Sequence, residues 1–388
     1  MPMAKLKIIL LALYARLMRR LRPGERVWLY TDRLDSVDNA FWQFQHDLAQ
    51  RDGVRRFYVC EKPDKLDAPE KERKHAIAFG SWKHRLLYLR CEKILTSFSQ
   101  YSIIHPFGKP TVKALGDVLR FEVIYLQHGV LHARLEALYH KKNIPCDRMV
   151  ISTDFERLNM VSNYGFGVGE LICTGMARYD LLLPARPPER RILLSPSWRQ
   201  NLIGPFVENR RQPLHEAFLS SRYFTETQAF LNSPRLAAFL EQHGLTLDFQ
   251  SHPIFRGYDS LFLIDPAPEG HSPRVHLGGA PDLNPYLAMI TDYSSIALDF
   301  VYLERPLLYF VPDYEDFLAG RTHSYKELHI PLEGAFGPLA RTQEALLDAL
   351  EALAARDFAP EELHRERMSA FFHSREATHR KALYDVLI

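Results

Sequence analysis

The chain has 388 residues, 46% of them hydrophobic and 25% charged, with 49 Lys and Arg against 47 Asp and Glu. That composition is too apolar for an intrinsically disordered chain, and at +2 too nearly neutral for one built to coat nucleic acid. It carries no collagen-like, disulfide-rich or coiled-coil bias, and its length suits two domains of about 200 residues or slightly fewer.

The first 26 residues form a distinct basic unit. Lys5, Lys7, Arg16, Arg19, Arg20, Arg22 and Arg26 stand against Glu25, a net +6 that leaves −4 for the remainder. The apolar run from Ile8 to Met18 is interrupted by Arg16 and is shorter than the roughly 20 residues that cross a hydrocarbon core. A secretory leader fits poorly, because Arg19, Arg20 and Arg22 occupy the place of a small-residue cleavage site. The expectation is a helix lying on an anionic membrane surface; the alternative is an amphipathic helix packed on its own domain.

After Pro23-Gly24, short β-prone runs at 27–30, 57–60, 94–98, 123–127 and 149–152 alternate with helix-like stretches. In one of these, 39–51, Phe41, Phe44, Gln45 and Leu48 follow helical spacing. The alternation predicts βαβ units and a parallel sheet. Prolines 184, 187 and 188 block both helix and ladder, which places a domain boundary near 185–190. Further strand runs follow at 191–197, 247–253, 288–295 and 306–313, and residues 343–388 read as helices that could return to the first domain. The predicted fold class is α/β, with two Rossmann-like domains facing a central cleft and an amphipathic helix in front. The segments are 1–26, 27–185 and 191–388.

Four cysteines, Cys60, Cys91, Cys146 and Cys173, lie far apart without a C-x-x-C pair, as reduced thiols of a cytosolic protein would. No P-loop, dinucleotide fingerprint, H-E-x-x-H, G-x-S-x-G or D-x-D pattern occurs, and no metal site is expected.

The richest stretch is 290–313. A strand ends near Ile290, a turn follows through Thr291, Asp292, Tyr293, Ser294 and Ser295, and a helix runs from Ile296 to Leu303. A serine at this helix start can offer backbone N–H groups and a positive dipole end to an anion, or can merely cap the helix. His252, before Pro253, ends another strand run, and His128, before Gly129, ends a third; either imidazole can exchange a proton with a ligand, although a single histidine is more often structural. Gly129 would permit close backbone approach. Arg199 in Ser-Pro-Ser-Trp-Arg-Gln is a charged fork suited to phosphate. Gly175, Arg178 and Asp180 in Thr-Gly-Met-Ala-Arg-Tyr-Asp read as structural residues of a turn or as cleft residues.

The order HG, G-x-x-R-x-D, P-[ST]-W-R, HP and TDYSS, with a following D-F and R-P, resembles the CDP-glycerol glycerophosphotransferase family of teichoic acid and capsule synthesis, across about residues 120–315. Around His128 the chain reads Q-H-G-V-L-H-A where that family reads W-H-G-T-P-L-K. The resemblance implies a GT-B arrangement with an acceptor-side first domain and a donor-side second domain. It implies transfer of a polyol phosphate, most simply glycerol phosphate, from CDP-glycerol or CDP-ribitol to a lipid-linked envelope glycan, with release of CMP and no prosthetic group. His128 would be the general base and His252 would stabilise the donor phosphates. Arg199, Thr291, Ser294 and Ser295 would line the pyrophosphate, and Asp292 and Asp299 match acidic positions of the motif. The implied location is the cytoplasmic face of the membrane, as a peripheral protein. The alternatives are a GT-B glycosyltransferase using a nucleotide sugar and a noncatalytic membrane-associated binding module.

Overall fold

A computed structural model describes residues 3–388 apart from 208–209, 256, 267–272 and 280–281. The chain divides into two units. The first comprises Met1–Val130, Glu136–Leu181 and His373–Ile388; the second comprises Leu131–Leu135 and Leu182–Phe372.

Among its described residues, unit 1 is built on seven strands: β1 (Val27–Thr31), β2 (Arg55–Cys60), β3 (Ala76–Ala78), β4 (Lys93–Thr96), β5 (Glu122–Tyr125), β6 (Arg148–Val150) and β7 (Leu171–Ile172). All pair in parallel, in the order β3-β2-β1-β4-β5-β6-β7. Every residue of β1 is buried, which is why Val-Trp-Leu-Tyr is continuous rather than alternating: helices cover both faces of a parallel sheet. Helix α2 (Asn39–Leu48) turns Phe41 and Phe44 into the core beside Tyr30 and Tyr58. The last helix, His379–Leu387, adds Leu383 and Leu387 to the same core, so the chain's final sixteen residues belong to the first unit.

Unit 2 carries β8 (Arg191–Leu194), β9 (Ile203–Val207), β10 (Arg210–Pro213), β11 (Thr246–Phe249), β12 (Val275–Leu277), β13 (Tyr286–Thr291), β14 (Leu307–Phe310) and β15 (Leu339–Ala340). β9 and β10 form an antiparallel ribbon; the others form one parallel sheet in the order β12-β11-β8-β13-β14-β15. Counted along the chain, the main strands of both units follow the doubly wound order 3-2-1-4-5-6. Ligands in such sheets bind beyond the carboxyl ends of the strands where the order reverses, between β1 and β4 in unit 1 and between β8 and β13 in unit 2.

The main sequence-predicted strands are all present, and the short edge strands β3, β7, β12 and β15 add to them. The chain leaves unit 1 after Leu181, ahead of the proline-rich stretch. It also leaves briefly at Leu131–Leu135, where Ala133 bridges Leu328, Arg134 N donates to Glu327 O (3.1 Å), and His329 N donates to His132 O (2.6 Å).

Helix α1 (Met3–Leu21) has two apolar faces. Leu11 and Ala15 are buried, and Arg19 Nη2 anchors the same side by donating to Leu89 O (3.2 Å) and Val118 O (2.5 Å). Leu6, Ile9, Leu10, Leu13, Leu17 and Leu21 are all exposed, at helical spacing on the opposite side. Among the described residues, no helix is long and apolar enough to cross a membrane.

Candidate functional site

In unit 1 the carboxyl end of β5 carries Leu126, Gln127 and His128. The left-handed residue of this turn is Gln127 (φ 59). Gln127 holds that conformation through its buried amide, whose Nε2 donates to Val150 O (2.7 Å) and Glu156 Oε1 (3.0 Å). His128 is exposed, with its ring stacked on Phe98 (5.0 Å between centroids, 14° between planes). Its carbonyl accepts from Arg178 Nη1 (2.5 Å), which also reaches Asp38 Oδ1 (3.1 Å). Asn39 completes the tie: Nδ2 donates to Gln127 O (2.9 Å), and Oδ1 accepts from Arg178 N (2.9 Å).

The other residues of the 174–180 motif are structural. Gly175 has φ +78, and a Cβ there would lie 2.4 Å from His379 Nδ1. Asp180 accepts from the backbone N–H groups of His379 (2.8 Å) and Arg380 (3.1 Å) and from Arg380 Nε (3.0 Å), which fastens the last helix.

At the β1/β4 switch point the chain supplies its own anions. Asp32 accepts from the N–H groups of Asp38 (2.9 Å), Ala40 (3.1 Å) and Phe41 (2.9 Å) and from Tyr58 Oη (3.0 Å). Asp38, the N-cap of α2, accepts from Asn39 N (2.8 Å). The helix end that would attract a phosphate is therefore filled. Burial, with Asp32 close by, raises the Asp38 carboxyl to about 7 despite Arg178; burial also raises Asp32.

Unit 2 treats its switch point differently. Thr291 Oγ1 donates to Ser195 O (2.7 Å), and Asp292 Oδ1 accepts from Ser197 N (2.8 Å), so the turn after β13 is tied to the turn after β8. Arg199 is 1% exposed: Nη1 donates to Asp292 Oδ2 (2.7 Å), and Nε and Nη2 donate to Asp313 (2.6 and 3.0 Å). Its guanidinium also lies over the rings of Tyr223 and Tyr293, at 4.8 and 5.0 Å. Burial alone would lower its basicity, but Asp313 and Asp292 outweigh burial and raise it well above the usual value. The polar atoms of Arg199, Thr291 and Asp292 are thus engaged beneath the turn, where a buried cation requires its own carboxylates. Asp299 is likewise buried, within the helix Ile296–Tyr302.

Ser294 and Ser295 remain half-buried on the turn. Ser295 occupies the N-cap in a helical conformation, and its hydroxyl makes no cap bond, so the capping role weighed from sequence does not apply to it. His252 follows β11, the strand beside β8. Its Nδ1 accepts from Ile254 N (3.2 Å), which places the proton of the neutral ring on Nε2. Trp198 stands between His252 (6.4 Å between ring centroids) and His323 (6.0 Å). Burial, assisted by Arg199, lowers His323 to about 4. Asp38, Asn39, Asp313 and His323 were not singled out from sequence; of these only Asp38 carried a signal, as an Asp before a helical run. Among the described residues, no group of three or more His, Cys, Asp or Glu side chains is placed to hold a metal ion.

Residues 13–388 match the family model described as CDP-Glycerol:Poly(glycerophosphate) glycerophosphotransferase. The chain belongs to that family. This glycerophosphotransferase-family chain is 26% identical over 372 residues to the minor teichoic acid biosynthesis protein GgaB of Bacillus subtilis (strain 168), a match covering 93% of the chain and 39% of that protein. The chain spans less than two-fifths of the length of the curated relatives it matches. A solved structure of the wall teichoic acid polymerase TagF superposes with a TM-score of 0.66 at 13% identity, covering 100% of this chain and 98% of that one. Another TagF structure, soaked with CDPG, gives 0.64 at 13% identity, covering 100% and 97%. These likenesses show the fold, two parallel α/β sheets of the GT-B-like class expected for the family.

Proposed function

We propose that this chain transfers glycerol phosphate from CDP-glycerol to a hydroxyl of a lipid-linked teichoic acid or related envelope glycan, with CMP as the leaving group. The observation that carries this reading is the β8/β13 turn of unit 2. It is fastened below by the Arg199 ion network and presents Ser294 and Ser295, with His252 three residues beyond the end of the neighbouring strand β11. Hydroxyl donors at the switch point, with an imidazole beyond the end of the adjoining strand β11, suit a pyrophosphate, and unit 1 fills its equivalent position with Asp32 and Asp38.

In the reaction the acceptor oxygen attacks the β-phosphorus, and a new P–O bond forms while the bond from that phosphorus to the CMP oxygen breaks. The hydroxyl proton passes to His128, and His252 with the two serines stabilises charge on the phosphates as CMP departs. Catalysis then consists mainly of positioning and charge stabilisation, as phosphoryl transfer requires. The outward stripe of α1, with Arg16 and Arg20 at its margin, supports a peripheral position on an anionic membrane at the cytoplasmic face, where a lipid-linked acceptor would be met.

Incubation with CDP-glycerol, CDP-ribitol or UDP-sugars and a lipid-linked acceptor tests the reading by the nucleotide released. CMP from CDP-glycerol is the expected result. CMP from CDP-ribitol alone would change the polyol, UDP would indicate a glycosyltransferase, and no nucleotide release would indicate a binding module.

A further inference from the structure

His128 lies at an exposed strand end, where a loop residue would ordinarily sample many orientations. Three observations show that the backbone carrying this one is tied in place. Gln127 is held in the left-handed region at φ 59, a conformation that strains a non-glycine residue and persists only where its surroundings over-determine it. The carbonyls of Gln127 and His128 each accept a side-chain hydrogen bond, from Asn39 Nδ2 (2.9 Å) and Arg178 Nη1 (2.5 Å). Those two side chains are joined through Arg178 N and Asn39 Oδ1 (2.9 Å), and Asp38 holds the guanidinium (3.1 Å). Segments about 50 and 90 residues away in sequence thus converge on two consecutive peptide units, while Phe98 backs the ring.

We infer that Arg178 is a positioning residue for His128, acting with Asn39 to fix the backbone from which the imidazole projects. The inference rests on the reading of His128 as the base. Arg178 does not touch the reacting atoms; it restricts where the imidazole can be, and a misplacement of about 1 Å can cost about 100-fold in rate.

The test uses the full chain with CDP-glycerol and a lipid-linked acceptor. Arg178→Ala is expected to lower kcat about 10- to 100-fold with an unchanged Kd for CDP-glycerol. Millimolar guanidinium should restore part of the turnover, as should Arg178→Lys. Neither recovery is expected if the arginine serves only global stability. If Arg178→Ala does not fold, Asn39→Ala should show the same fall in kcat. Wild-type kcat in the folded variant, or loss of turnover that neither guanidinium nor lysine recovers, overturns the inference. His128→Ala run in parallel separates the two ideas: an inactive His128→Ala beside a normal Arg178→Ala sinks the positioning role alone, whereas an active His128→Ala sinks the base assignment itself.

Discussion

The two sheets share one strand order but use their switch points in opposite ways. In unit 1 the turn after β1 brings Asp32 and Asp38 onto the start of α2, so the backbone donors there are taken by carboxylates of the chain itself. In unit 2 the carboxylates Asp292 and Asp313 are turned downward onto Arg199, and hydroxyls are left at the top of the turn. One topology therefore yields an end that repels an anion and an end that can receive one. The difference lies in where four aspartates point, and it supports the proposal that unit 2 receives the nucleotide donor.

The largest effect is expected from breaking the network beneath the turn after β13. Arg199→Met leaves Asp292 and Asp313 buried without their cation and should cost about 3–5 kcal/mol of unfolding free energy in a denaturant titration. A loss below about 1 kcal/mol would mean that the network does not hold the turn. Next comes the surface of that turn. Replacing Ser294 and Ser295 together by Ala should weaken CDP-glycerol binding about 10-fold or more by calorimetry, since each hydrogen bond to a charged group contributes about 1.5–3 kcal/mol, while thermal stability is kept. Unchanged affinity would remove the serines from the donor site.

A smaller effect separates the units by pH. Asp38, raised from 3.8 to about 7, binds its proton more tightly folded than unfolded, so its contribution to stability falls as pH rises from about 4 to 7; Asp38→Asn should flatten that slope. His323, lowered from 6.5 to about 4, binds its proton more weakly folded, so its contribution is lost as pH falls from about 6.5 to 4. Stability curves of Asp38→Asn and His323→Gln with equal slopes would contradict both environments. The smallest effect on the fold is expected from the outer face of α1. Leu13→Glu with Leu17→Glu should shift stability by less than about 0.5 kcal/mol each, yet reduce sedimentation with phosphatidylglycerol vesicles. Undiminished vesicle binding would exclude the stripe as the membrane-facing element.

Much of this architecture is legible in the sequence, because buried parallel strands are continuous apolar runs: Val27–Tyr30, Phe57–Cys60 and Leu307–Phe310 need no neighbour to be recognised. Strands of two or three residues, such as Leu171–Ile172 and Leu339–Ala340, hold no period to read, and the excursion of Leu131–Leu135 into unit 2 depends on a partner almost 200 residues away. The ion partners of Arg199 are hidden in the sequence for a related reason. A guanidinium at a strand end looks the same whether it faces a phosphate or a carboxylate, and here the deciding partner, Asp313, lies 114 residues on. The choice posed for α1 was between an outward and an inward apolar face; the helix has both, with Leu11 and Ala15 inward and the leucine-rich stripe outward.

The account rests on a division of labour in which His128 of unit 1 serves the chemistry and unit 2 holds the donor. It is tested most directly by measuring CMP release and CDP-glycerol affinity together in His128→Ala. The predicted result is a loss of about 100-fold or more in CMP release with affinity within about twofold of wild type. Retained turnover, or donor affinity that disappears along with it, would contradict the account.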